Sequence, residues 1–92
     1  MEEAAIYRTE YMKFRLGLRG YDLATVEQIL RYSSERYVDT VTGRVVATGR
    51  HEKLLVMIPF EPKGRTLTPV TIHATSRQQI NSRIKSGRFK DE

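Results

Sequence analysis

Leu54-Leu55-Val56-Met57-Ile58 is continuously apolar, the pattern of a central strand covered on both faces or nearly so. The reading of the chain grows outward from it. Upstream, His51-Glu52-Lys53 reads as a turn, and Arg44–Arg50 alternates as a strand does. Thr42-Gly43 is a further turn signal, and Glu35–Val41 is β-branched and aromatic. Downstream, Glu61-Pro62-Lys63-Gly64-Arg65 is a turn and Thr66–Thr75 a fourth strand. Pro69 marks a bulge, an edge or a late start within that strand. Short turns between successive strands predict hairpins, hence a four-stranded antiparallel meander.

The flanks read as helices. In residues 4–18, Ile6, Met12 and Leu16 recur at helical spacing, with Gly20 as a stop. Asp22 offers an N-cap for a second helix to about Tyr32, whose stripe is Leu23, Val26, Ile29 and Leu30. After the sheet, Thr75 or Ser76 caps a last helix, Arg77 to about Lys85. Ile80 and Ile84 are its apolar anchors, and Gly87 ends it. Residues 88–92 read as a loose tail. The expected fold is α+β: two N-terminal helices packed on one face of a four-stranded antiparallel sheet, with a closing C-terminal helix. Residues 1–92 form one domain.

Composition narrows the function. The chain has 92 residues, no cysteine and a net charge of +5. Without cysteine there is no disulfide framework and no thiolate chemistry. No apolar run reaches membrane-spanning length, and the acidic start is unlike a signal peptide. A cytoplasmic protein is expected. The charge is uneven. Residues 1–43 carry six Lys/Arg against seven Asp/Glu, whereas residues 44–92 carry ten against four. A polyanion on the second half's surface is the natural partner, and RNA is the candidate.

Strand alternation assigns the faces. Val70, Ile72 and Ala74 fall on one side, and Thr71, His73 and Thr75 on the other. Val45 and Ala47 oppose Arg44, Thr48 and Arg50. With the apolar set under the helices, the open face carries Arg44, Arg50 and His73, with Arg77 at the strand exit. No glycine-rich phosphate loop, HExxH or GxSxG is present, and two histidines do not make a metal site. No cofactor and no metal are expected. RNA cleavage needs neither: it needs a proton carrier for the 2′-hydroxyl and cations for the phosphate. His73, Arg77 and Arg50 are the catalytic candidates. Arg44, Arg83, Lys85 and Arg88 are candidates for phosphate contacts, and Tyr37 for base stacking.

Two stretches carry a resemblance. Arg15-Leu16-Gly17-Leu18-Arg19-Gly20-Tyr21, followed by Val26 and Ile29-Leu30, resembles an "R-M-x-x-R-G-I" signature. Val70-Thr71-Ile72-His73-Ala74-Thr75-Ser76-Arg77 resembles a "V-T-A-Y-x-T-S-R" strand exit. Both are similar to a family of small bacterial domains related to the BrnT-like toxins of the RelE/ParE superfamily. The resemblance implies a RelE-like fold and the toxin half of a toxin–antitoxin pair. Many members of that superfamily cleave messenger RNA and others act on DNA gyrase, and the implied partner is a small antitoxin protein. Tyr11 stands where that family has a histidine, and His73 where it has a tyrosine.

The leading expectation is therefore a metal-independent ribonuclease toxin. The alternative is a non-catalytic module of the same fold that binds RNA or protein.

Overall fold

The computed structural model describes residues 5, 6, 17 and 20–92. In chain order the elements are β1 (Ala5–Ile6), α1 (Leu23–Tyr32), β2 (Arg36–Asp39), β3 (Val45–His51), β4 (Leu54–Lys63), β5 (Thr66–Pro69), β6 (His73–Ala74), α2 (Arg77–Lys85) and β7 (Phe89–Asp91). The strands make one sheet in the order β1-β5-β4-β3-β2-β7, with β6 also beside β4. All pairs are antiparallel except β1 with β5.

The fold expected from sequence is corrected by this sheet. The meander β2-β3-β4-β5 is present, but among the described residues the sheet has seven strands rather than four. Ala5–Ile6, expected in the first helix, pairs in parallel with Thr66–Leu67. The remainder of that expected helix lies outside the described residues, apart from Gly17. The helices also do not share a face. Val56, Ile58 and Phe60 of β4 pack with Val26, Ile29 and Leu30 of α1. Leu55 and Met57, the alternate residues, pack with Ile80 of α2 and with Val46, Tyr37 and Phe89. A strand points successive side chains to opposite sides, so each face carries its own helix. That is why β4 is apolar at both parities.

α1 starts where Asp22 caps it: the carboxylate accepts from the Ala24 N–H at 3.2 Å. It stops at Ser33, which turns extended. The helix lies close on β3 because Gly49 has no side chain. A Cβ there would come within 2.8 Å of Ile29. His51, which reads as a turn residue in the sequence, is buried at the start of α1. Its Nε2 accepts the Asp22 N–H at 2.8 Å, and its ring meets Tyr21 edge-on at 5.1 Å. His51→Ala leaves that donor without its partner. It is expected to cost about 1–3 kcal/mol in urea unfolding; a loss under a few tenths would show that water replaces the imidazole.

The fourth expected strand is broken. Pro69 pairs with Phe60 and His73 with Met57, so three residues (70–72) oppose two (58–59). This one-residue bulge reverses the parity of the strand. Leu67 packs toward α1, whereas His73, also odd-numbered, pairs with Met57 of the α2 face. Ile72 is buried under α1, as its alternation implies. Val70, expected beside it, instead lines a cleft on the α2 face.

The end of the chain is a strand rather than a loose tail. β7 pairs with β2 through Asp39↔Phe89, Val38↔Lys90 and Tyr37↔Asp91. Gly87, at φ +81°, lets the chain reverse after α2. Phe89 is buried and stacks on Tyr37, with centroids 5.4 Å apart. Among the described residues, no helix is long and apolar enough to cross a membrane.

Candidate functional site

α2 is capped by Ser76, whose hydroxyl accepts from the Gln79 N–H at 3.1 Å. Ile80 is its one buried anchor, and Ile84 is 42% exposed. Held at one point, the helix covers only part of its face. Beside its C-terminal half lies a cleft of about 160 Å³, bounded by the bulge, the β2–β3 turn and β7. Its apolar lining is Val46, Met57, Pro59, Val70 and Phe89. Its polar lining, the wall residues, carries His73, Arg44, Arg83 and Arg88, with Asp39, Thr42 and Thr71.

Each wall residue is placed by a local feature. His73 arrives through the parity switch of the bulge. Arg44 precedes β3 and donates to Glu61 at 3.2 Å. Arg88 follows the Gly87 reversal and grips the Asp39 carboxylate with Nε and Nη2, at 3.1–3.3 Å. Arg83 lies over the Phe89 ring, 5.7 Å from its centroid, and makes no ion pair among the described residues. Asp39 is nearly buried. Burial alone would raise its pKa, but Arg88 and the Val41 and Thr42 N–H groups outweigh it, so the carboxyl sits below its ordinary value. The cleft thus sets three guanidiniums and an imidazole against Asp39 and, at Arg44, Glu61.

Four residues singled out from the sequence therefore meet in one cleft: Arg44, His73, Arg83 and Arg88. The other four lie elsewhere. Arg77 forks onto Glu35 at 2.5 and 3.1 Å, and the Tyr37 hydroxyl donates to the same carboxylate at 2.6 Å. Tyr37, expected as a base platform, is only 8% exposed and has Phe89 against its ring. Arg50 donates to the Lys53 carbonyl across the β3–β4 turn. Lys85 lines a shallow depression on α2 with Gln78, Asn81 and Ser82. Of the catalytic candidates His73, Arg77 and Arg50, only His73 lines the cleft. Asp39 and Glu35 escaped the sequence reading. A carboxylate's partner is not written in its neighbours, and the one local hint was Asp39 ahead of the Thr42-Gly43 turn.

The Glu35 cluster joins the start of α2 to β2. The Arg77 hydrogen bonds, against the opposing effect of burial and with help from Tyr37, hold Glu35 down to about pKa 2. Burial and the bond to Glu35 push the Tyr37 phenol up to about 12. Because the folded-state pKa of Glu35 lies below its ordinary value of 4.5, its stabilisation is complete above that value and is lost as pH falls toward about 2. In Glu35→Gln, the slope of stability against pH across that window is expected to fall by up to one proton's worth. Urea unfolding at stepped pH reads it directly, and an unchanged slope would assign the acid sensitivity to other carboxylates.

No known protein family, curated protein or solved structure matches the chain.

Proposed function

We propose that the cleft binds RNA by its phosphates and that the protein cleaves the strand without a metal, as a toxin held in check by a small antitoxin. One observation carries the first part: His73 shares a cleft with three arginines, Arg44 just before β3, Arg83 on α2 and Arg88 just before β7. Phosphodiester cleavage by a 2′-hydroxyl asks for that combination of a proton carrier and cations around the charged phosphate. An imidazole can both take up and return a proton, which suits it to either role. Arg83 is the cation most available to substrate, since Arg44 and Arg88 already hold carboxylates. The toxin assignment is supported by the two motif resemblances.

A specific observation also favours a binding module without turnover. Arg77 is committed to Glu35, two of the cleft arginines are ion-paired, and the cleft holds a single imidazole. Incubation of purified protein with RNA in chelator separates the two readings. Cleavage products are expected. Tight, salt-sensitive binding with intact RNA would establish the module reading in place of the enzyme. Three phosphate contacts on a single strand give a log–log salt slope of about −2, and Arg83→Glu is expected to shallow it. Neither cleavage nor binding would overturn both.

A further inference from the structure

Two concavities share a wall. The inner one is the cleft already described. The outer one is a more open groove of about 350 Å³ along α2, lined by Gln79, Ser82 and Ser86. Arg83 and Arg88 line both, so they form the ridge between the two. The two sides of that ridge differ chemically. The inner cleft is lined in part by Val46, Met57, Pro59, Val70 and Phe89, and its volume of about 160 Å³ is of the size of a single aromatic ring. The outer groove offers hydroxyls and an amide. The ridge offers two guanidiniums, one stacked on Phe89 and one braced by Asp39.

A nucleotide chain has the same alternation of chemistry. A base presents an apolar π-face, a phosphate needs cations, and a sugar needs hydrogen-bonding groups. Only an unpaired base can leave its stack to enter a ring-sized cleft; in a duplex it must first be unpaired, at a cost of a few kcal/mol. We infer that the two concavities form a track for one single strand of RNA. One base sits on Met57, Pro59 and Val70, its phosphate rests on Arg83 and Arg88, and the next nucleotide lies along Ser82 and Ser86. This rests on the RNA reading above and adds the strand form and the path.

The test uses fluorescence anisotropy in chelator with a labelled six-nucleotide 2′-O-methyl strand, which resists cleavage, and its blunt duplex. Wild type is expected to hold the single strand at least tenfold more tightly than the duplex. A nucleoside monophosphate is expected to displace it at concentrations where inorganic phosphate does not. Val70→Trp fills the inner cleft and Ser82→Trp, on the exposed side of α2, blocks the groove. Each is expected to weaken the single strand at least tenfold, with folding checked by circular dichroism. Ser82→Trp keeps the test open if Val70→Trp fails to fold. Equal affinity for the duplex, or folded variants that bind as wild type does, would overturn the track while leaving the RNA reading in place. Absence of any RNA binding by wild type would remove both.

Discussion

His73→Ala is expected to reduce RNA cleavage in chelator by roughly 10²–10⁴-fold, the usual contribution of a positioned proton carrier. RNA affinity should change by no more than about threefold, because the three cleft arginines stay in place. His73 is the one imidazole of the cleft, and the bulge brings it there: without the extra residue at 70–72, Met57 would face Ile72 instead. The comparison that gives the result meaning is Arg50→Ala. Arg50 braces its own turn through the Lys53 carbonyl and does not line the cleft. If Arg50→Ala costs as much cleavage as His73→Ala, the reaction is not carried out where the cationic residues meet.

Phe60→Ala is expected to destabilise the domain by about 3–5 kcal/mol, a large share of the ~5–15 kcal/mol typical of a whole domain. Phe60 is 2% exposed and packs in the cluster that joins β4 to α1. It has a second role. The Arg36 guanidinium lies over its ring at 5.5 Å, while Arg36 donates to the Leu30 and Ser33 carbonyls at the end of α1. Truncation therefore opens a cavity and removes the surface on which a helix-terminating arginine rests. In urea, the midpoint should fall with little change in slope. A loss below about 1 kcal/mol would mean that Arg36 and the neighbouring side chains collapse into the space.

The elements legible in the sequence are those whose signal is local. The α1 stripe, its Asp22 cap, a cap at Thr75 or Ser76 (Ser76 in the structure) and the three hairpin turns all come from short-range chemistry, and each is found in the structure. The apolar run of β4 also carried its message, since both of its faces are covered. The missing step was what covers the second face. α2 has one buried anchor, Ile80, and a single apolar residue makes no stripe from which packing can be read. β1, two residues long, has no period at all. The bulge is a property of pairing, visible only when β4 and its partner are laid side by side. The candidate site shows the same division. Its residue types were legible as cations and an imidazole. Which of them meet was set by ion pairs with Asp39, Glu61 and Glu35, at sequence separations of 17 to 49 residues that no local pattern reports.

β7 carries a consequence for how the chain reaches its fold. Its partner strand β2 is fifty residues upstream, at Asp39↔Phe89. Until β7 docks, the outer edge of β2 lacks its neighbour. For that interval the strand shows unpaired backbone groups and an uncovered Tyr37 ring, the features that invite pairing with another chain. The long loop also makes this closure a late, entropically costly step, of the kind that slows folding. Arrival of residues 88–91 caps the sheet edge and sets Arg88 on Asp39 in one event. A chain truncated before that point should therefore have an exposed β2 edge and no completed cleft.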